Sequence, residues 1–302
     1  MPDEQDPLIG ALLGDRYYVE SHLGQGGMGS VYLARDTKLN NRRVVVKAPL
    51  PQLVSNRRVI ERFVEEVESL SEQQHPHIVN IQDVGEYEGR PFCVVEYLNG
   101  GNLSELIDRH GGRMSPRDVL EWLPTVAEAL DFLLEGGMVH RDVKPANILF
   151  DTLDNPYLSD FGIATRVEAP AEEETVIAKL TREGGFVGAP AYAPPEALGR
   201  DLSATYDQFS LGVVVYQALS GKLPFEGTTS EEYLRNKADF DPRPLGELVE
   251  DVPERCVSAV MRSLEREPAK RWPSCQAFAD EFQAAVEEFE EDEEEARRRW
   301  AS

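Results

Sequence analysis

The chain has 302 residues, enough for one large domain or two lobes, and its hydrophobic content of 41% fits a soluble globular protein. The 31 Lys and Arg residues against 55 Asp and Glu leave a formal charge of −24. This balance argues against non-specific nucleic-acid binding and against docking on an anionic membrane surface.

Cysteine usage and apolar runs indicate the compartment. There are three cysteines, Cys93, Cys256 and Cys275, an odd number without a CxxC motif, so no disulfide framework is implied. The first residues, MPDEQD, are acidic and unlike a signal peptide. The run FSLGVVVYQALSG is too short to span a bilayer. We therefore expect a cytoplasmic protein with no membrane segment in this chain.

The predicted elements change from β to α along the chain. Short strands are predicted at 19–23, 31–35, 42–47, 78–84 and 91–98. One helix interrupts them, with Ser55 as its N-cap and an apolar stripe at Val59, Phe63, Val67 and Leu70. After the Asn-Gly-Gly-Asn punctuation at 99–102, helical patterns occur at 103–110, 116–135, 206–220, 253–265 and 274–290.

We predict an α+β fold with two lobes from this order. An N-terminal extension (1–16) precedes a small β-rich lobe with one key helix (17–98). A larger, mainly helical lobe follows (99–286). The last segment, 287–302, is acidic and then basic, and reads as a solvated helical extension or tail.

The glycine-rich stretch HLGQGGMGSVYLARD lies between two predicted strands. It is not a P-loop, because Ser30 and Val31 follow Gly29 where Lys and Ser or Thr are required. It is not a dinucleotide fingerprint either, because a strand follows it instead of a helix. Two interpretations stay open for this motif alone: a flap over nucleotide phosphates, or a plain turn.

A lysine and a carboxylate stand at positions that each need a partner. Lys47 ends the strand VVVK, and Glu66 lies on the apolar stripe of the predicted helix. Pairing them satisfies both. The pair could simply orient the helix, or it could also place Lys47 against nucleotide phosphates.

The strongest chemical signal is VHRDVKPANILF at 139–150, followed by DFG, whose Asp160 lies eighteen residues after Asp142. Asp142, Asn147 and Asp160 bring three oxygen-bearing side chains to one end of a predicted hairpin, with Lys144 between the first two. Phosphoryl transfer needs oxygen ligands for Mg²⁺, a carboxylate for the attacking hydroxyl, and cations for the developing charge.

With these motifs the chain resembles the eukaryotic-type protein kinase family, and its bacterial serine/threonine kinases in particular. The motifs occur in the family's order over about 17–285. They are GQGGMGSV, VVVK, the helix with Glu66, MVHRDVKPAN, DFG, PPE and YDQFSLG. The resemblance implies a bilobal kinase fold that uses ATP with Mg²⁺, or alternatively Mn²⁺, to phosphorylate protein substrates.

The resemblance also implies a role for each site residue. The phosphates are covered by Gly24, Gly26 and Gly29 and contacted by Lys47, which pairs with Glu66. Adenine is bound by the backbone of Glu96 and Leu98 and sandwiched by Val31, Val45 and Leu149. For transfer, Asp142 is the catalytic base, Lys144 steadies the γ-phosphate, and Asn147 and Asp160 bind the metal.

Regulatory and structural roles are implied in the same way. Arg141 is expected to meet a phosphate on the activation segment at 160–196, with Thr181 and then Thr175 as autophosphorylation sites, through self-association. A structural role is implied for His140, which Asp207 anchors. Glu196 and Arg271 are expected to form an ion pair in the helical lobe.

Two positions depart from the family pattern. Ala189 stands where the family has a threonine whose hydroxyl bridges the catalytic Asp and Lys, and Val45 stands where a smaller alanine is usual. These departures keep an alternative, a pseudokinase that acts as an ATP-binding signalling scaffold. A small-molecule phosphotransferase is disfavoured, because the Pro-rich stretch 190–195 and PPE resemble a peptide-docking platform.

Overall fold

The computed structural model describes residues 8–25, 29–55, 60, 61, 63, 64, 67, 71, 74–160, 165–166, 189–198 and 203–301. The chain divides into two compact units, Met1–Asn99 and Gly100–Ser302. Three predicted site or regulatory features, Gly26, Glu66 and the threonines Thr175 and Thr181, lie outside the described residues, and so do Leu70 and Glu183.

The first unit is built on an antiparallel sheet of six strands, in the order β1-β2-β3-β4-β6-β5. The strands are β1 (Leu12–Leu13), β2 (Tyr17–Gln25), β3 (Gly29–Asp36), β4 (Arg42–Pro49), β5 (Ile81–Tyr87) and β6 (Arg90–Glu96). The strand predicted at 78–84 begins only at Ile81, and the short β1 was not predicted. Helical residues occur at the described positions between 60 and 71, inside the predicted helix.

One face of this sheet forms the core of the first unit. Residues alternate along β3 and β4, since Tyr32, Ala34, Val44 and Val46 are fully buried while their neighbours in sequence are half-buried or exposed. Because side chains alternate between the two faces of a strand, the half-buried residues share the opposite face. The sheet therefore has a packed face and a second, more accessible face.

The second unit is mainly helical, as predicted. Its helices are α1 (Leu103–Arg109), α2 (Pro116–Leu120), α3 (Leu123–Glu135), α4 (Tyr206–Ser220), α5 (Ser230–Asp239), α6 (Glu254–Ser263) and α7 (Cys275–Ala301). Short strands pair as β7 (Met138–Val139) with β10 (Thr165–Arg166), and as β8 (Ile148–Phe150) with β9 (Pro156–Leu158). The strand predicted to reach Asp160 ends at Leu158.

Helix α4 is the centre of this unit, and nearly all of its residues are buried. Gly212 allows α6 to approach closely, because a Cβ atom there would lie 1.9 Å from the Ser263 Oγ. The helix ends at Gly221, whose φ of +68° is a left-handed C-cap. The uncharged run FSLGVVVYQALSG therefore belongs to a buried core helix. Among the described residues, no helix is both long enough and apolar enough to cross a membrane.

Two helices differ from the prediction. The helix predicted at 116–135 is two helices, because Pro124 stands in the first turn of α3 and cannot donate within a helix. Helix α5 was missed because it carries no apolar stripe. Helix α7 runs on from the predicted helix at 274–290 to Ala301, so the tail is the helical extension that was one of its two interpretations, and there Arg297, Arg298 and Arg299 each pair with a glutamate one turn earlier.

Candidate active site

The accessible face of the first unit's sheet carries most of the residues predicted to bind nucleotide. Val31 on β3 lies opposite Gly24 on one side and opposite Lys47 on the other. Val45 lies two residues from Lys47 on β4, so both point to the same face as Val31. Directly opposed residues of antiparallel strands share a face, so this register alone groups them.

The two described glycines of the loop, Gly24 and Gly29, differ in their surroundings. A Cβ on Gly29 would lie 3.0 Å from the backbone oxygen of Ala48, while a Cβ on Gly24 would meet nothing within 4 Å. A side chain at position 29 would therefore crowd the neighbouring strand, whereas position 24 has open space around it. At the other end of the sheet, Glu96 closes β6 and is exposed, and Leu98 follows it half-buried.

The second unit holds the residues predicted for transfer in one loop between β7 and β8. The Lys144 ammonium donates to Asp142 Oδ2 at 2.6 Å. The Asn147 side-chain amide donates to the same oxygen at 2.9 Å and to the Asp142 backbone oxygen at 2.8 Å. The predicted trio Asp142, Lys144 and Asn147 is thus one hydrogen-bonded group. Asp142 Oδ1 is buried and has no hydrogen-bond partner in the described part of the chain.

Asp160 and Leu149 are positioned by the hairpin β8–β9. Leu149 on β8 is half-buried opposite Tyr157 and bridges to Asn102. Ser159 hooks the end of the hairpin to the loop, because its N–H and hydroxyl donate to the Asn147 backbone oxygen at 2.9 and 3.0 Å. Asp160 directly follows Ser159, so the hydrogen bonds between Ser159 and Asn147 limit how far Asp160 can lie from Asn147.

His140 is a structural residue of the loop. Its Nε2 donates to the Ser159 backbone oxygen at 2.9 Å, and its Nδ1 accepts from the Asp142 N–H at 3.2 Å. One ring nitrogen donates and the other accepts, so the ring is the neutral tautomer. Burial lowers the pKa of His140, in agreement with this assignment. The predicted role as a non-catalytic residue is consistent with these contacts.

Asp207 at the start of α4 fixes the backbone of the loop. Its carboxylate accepts the N–H groups of His140 and Arg141 at 2.7 and 2.9 Å, as the prediction of an anchor requires. Arg141 has a φ of +66° and Asp160 a φ of +60°. Such left-handed backbone is uncommon outside glycine and clusters at functional sites.

The predicted pair of Glu196 and Arg271 forms. Two parallel hydrogen bonds of 2.7 and 2.8 Å join the guanidinium to the carboxylate, and the Arg271 side chain is fully buried. This bidentate pair ties the end of the segment that follows residue 189 to the helical core.

Sequence reasoning missed Lys237 of α5, which is 1% exposed and donates to three backbone carbonyls of residues 190–193. A signal for the helix existed: Thr229 is its N-cap and accepts the Glu232 N–H at 3.2 Å, a Ser/Thr-x-x-Glu pattern. No signal in the sequence singled out the lysine itself.

The donor set fits a hard divalent cation. The Asn147 amide uses its nitrogen on Asp142, so its oxygen, which has no hydrogen-bond partner among the described residues, faces elsewhere. Mg²⁺ takes oxygen ligands, and commonly one or two protein carboxylates together with water and phosphate. No cluster of three or more His, Cys, Asp or Glu side chains suited to a metal occurs in the part of the chain that the structure describes. Asn147 and Asp160 thus carry oxygen ligands of the type that Mg²⁺ takes.

Comparison with known proteins agrees with this chemistry. Residues 17–283 match the family described as Protein kinase domain. The chain therefore belongs to the protein kinase domain family, and the resemblance found in the sequence is confirmed.

Its relatives include bacterial kinases. The serine/threonine-protein kinase PknA of Mycobacterium tuberculosis is 37% identical over 280 residues, which cover 91% of this chain and 62% of PknA. PknB of Mycobacterium leprae is 33% identical over 265 residues, 86% of this chain and 41% of PknB. This chain thus spans less than two thirds of these relatives.

The fold is also found in a crystal structure of the PknI kinase domain of Mycobacterium tuberculosis. It is 26% identical to this chain with a TM-score of 0.69, over 92% of this chain and 98% of that one. The predicted bilobal kinase fold is confirmed by this similarity together with the family match.

Proposed function

We propose that this chain is a serine/threonine protein kinase domain that transfers the γ-phosphoryl group of ATP to Ser or Thr hydroxyls of proteins. The observation that carries the proposal is the state of Asp142. One of its carboxylate oxygens accepts hydrogen bonds from Lys144 and Asn147, and the other is buried without a partner among the residues that the structure describes. A buried unpaired acceptor is costly, so an incoming hydroxyl that donates to it is favoured.

The step follows from these contacts. The acceptor hydroxyl donates to Asp142 Oδ1, its oxygen forms a bond to the γ-phosphorus, the bond from that phosphorus to the bridging oxygen of ADP breaks, and the hydroxyl proton passes to the carboxylate. Lys144 stabilises negative charge beside Asp142. A Mg²⁺ ion held by Asn147 and Asp160 would supply charge neutralisation at the phosphates.

The first unit would bind the nucleotide on its accessible sheet face. Lys47 would contact phosphates, Val31 and Val45 would pack on adenine, and the glycine loop would cover the phosphates through Gly24 and Gly29. Their common face and register support this assignment. Gly26, Glu66 and the backbone of Glu96 and Leu98 remain predictions, as does the contact of Leu149 with adenine.

The experiment is phosphate transfer from radiolabelled Mg·ATP to a generic basic protein, followed by phosphoamino-acid analysis. We expect label on Ser and Thr, and a loss of about 10²–10⁴ in rate for Asp142→Asn, the range expected when a general base is removed. Asp160→Asn should also lose transfer, since asparagine tolerates the left-handed backbone at that position and only the charge changes.

Asp154→Asn is the matched control, because Asp154 is exposed, has a φ of +62° and lies in the β8–β9 turn. It should keep the wild-type rate. Nucleotide binding without any transfer by the wild-type chain would instead identify an ATP-binding scaffold. Phosphate transfer to a small molecule, with no labelled protein, would identify a small-molecule phosphotransferase.

We also propose that transfer is activated by autophosphorylation on Thr181, with Thr175 second, between two copies of the chain. Burial lowers the pKa of Arg141, and its Nε is buried without a hydrogen-bond partner within the described ranges. A phosphate would supply the missing acceptor. Tryptic mass spectrometry of active protein tests this, and finding both threonines unmodified would refute it. The proposed use of ATP, together with three cysteines that stay thiols, suggests the cytoplasm as the place of action.

A further inference from the structure

Lys237 on α5 is a buried lysine that has no role in the proposed reaction. Its side chain is almost completely buried, and its ammonium donates to the backbone oxygens of Pro190, Ala191 and Ala193, each at 2.7 Å. The rings of Phe209 and Phe225 lie 5.8 Å from the nitrogen. No carboxylate pairs with it among the described residues.

A buried ammonium is costly, and its contacts show what offsets the cost. Burial lowers the pKa of Lys237 to about 7. The three carbonyls oppose this effect, because an ammonium has three N–H groups to donate and a neutral amine has only two. A methionine would fill the same space without desolvating a charge. The lysine is therefore suited to holding backbone oxygens and not merely to filling the core.

The backbone that Lys237 holds is a tight turn. The N–H groups of Tyr192 and Ala193 both donate to the Ala189 oxygen, at 2.9 and 3.2 Å. The Tyr192 hydroxyl donates to the Gln217 side chain on α4 at 2.6 Å. Lys237 adds a second attachment, from α5, so that three carbonyls of the turn point inward. The half-buried side chains of Pro190 and Ala191 remain partly accessible on the other side of the turn.

We propose that Lys237 is a positioning residue. It fixes residues 189–193 in the conformation that binds the segment of the protein substrate next to the acceptor hydroxyl. The inference rests on the proposed function. It states that one buried ammonium determines the conformation of residues 189–193, the segment that would bind substrate. A segment held from both α4 and α5 presents its small apolar side chains in one arrangement, which lowers the entropy cost of binding a peptide.

The test is Lys237→Met in the full chain, with steady-state kinetics on a synthetic threonine-containing peptide. We expect the KM for peptide to rise at least tenfold, while the Kd for a fluorescent ATP analogue stays within twofold. Lys38→Met, the same change at an exposed lysine of the other unit, should alter neither. A peptide KM within twofold of wild type in a folded Lys237→Met protein would overturn the proposal.

Hydrogen exchange gives a readout that does not depend on activity. Peptides covering 189–198 should exchange at least tenfold faster in Lys237→Met, and unchanged exchange would contradict the anchoring. If that variant does not fold, Lys237→Arg replaces it, because a planar guanidinium cannot place three donors where one ammonium does. A folded arginine variant with wild-type KM and exchange would also overturn the proposal. If the wild-type chain transfers no phosphate, the proposed function fails, and exchange still decides whether Lys237 anchors the segment.

Discussion

The ion pair of Glu196 and Arg271 allows a sharp test of burial, because the same unit contains a matched pair at the surface. Arg113 and Asp251 form the same bidentate contact, with hydrogen bonds of 3.1 and 3.0 Å, but their side chains are 50% and 61% exposed. The buried pair has bonds of 2.7 and 2.8 Å and a fully buried arginine. Glu196→Gln and Asp251→Asn remove one charge from each pair and preserve size.

The expected magnitudes differ severalfold. Removing one partner of a buried pair costs about 3–5 kcal/mol, because it leaves an uncompensated charge. The lower end applies here, since Glu196 is 19% exposed and Arg271 keeps hydrogen bonds to the backbone oxygens of Glu265, Arg266 and Thr205. We therefore expect Glu196→Gln to cost about 3 kcal/mol, and Asp251→Asn about 0–1 kcal/mol.

Urea unfolding followed by circular dichroism measures both costs. Thermal unfolding should agree, with a decrease in Tm of about 6–12 °C for Glu196→Gln, because 1 kcal/mol corresponds to about 2–4 °C in a domain of this size. The reasoning is refuted if Asp251→Asn destabilises the protein as much as Glu196→Gln. It is also refuted if Glu196→Gln leaves the free energy of unfolding within about 0.5 kcal/mol of wild type, the range of an ordinary surface change.

Three further perturbations test the site. Ala189→Thr restores the hydroxyl that the family is expected to place between the catalytic Asp and Lys, and one added hydrogen bond of about 1 kcal/mol should raise kcat about fivefold; an unchanged kcat would show that the missing hydroxyl does not limit transfer. Gly26→Val should impair transfer while the urea midpoint stays unchanged, and full activity would refute the lid assignment. Lys237, whose pKa burial lowers to about 7, loses a donor as the pH rises, so the peptide KM should increase between about pH 6 and pH 8 in wild type. Lys237→Arg stays charged and should remove this dependence, and equal profiles would contradict the assignment.

Local patterns predicted the elements and the transfer loop well. The β-branched run in RRVVVK yields β4, and the run at 206–220 yields a buried helix whose bounds match. Asp142, Lys144 and Asn147 are close in sequence, so one loop necessarily brings them near each other. Their shared hydrogen bonds could not be read from spacing, because these depend on how the loop is held by Asp207, sixty-five residues further along the chain.

Sequence analysis missed the residue whose hydrogen-bond partners are backbone carbonyl groups. Helix α5 has only Leu234 as a deeply buried apolar side chain, so periodicity gave no signal, although Thr229 and Glu232 marked its start. Lys237 looks like an ordinary surface lysine in NKADF. Its burial depends on carbonyls 44 to 47 residues away, which carry no side-chain identity for a motif to detect.

Two buried cations and one half-buried cation of the second unit differ in how their charge is compensated. Arg271 has a carboxylate and Lys237 has three carbonyls, whereas the Nε atom of the half-buried Arg141 is buried and has no acceptor among the described residues. The first two hold backbone on either side of 193 in one conformation, because moving it would strand a buried charge. The third is left with a donor that a new anion would satisfy. An added phosphate should therefore stabilise this region most at Arg141. The Nε group there is already desolvated in the folded chain, so the new hydrogen bond would carry no further desolvation cost on the arginine side.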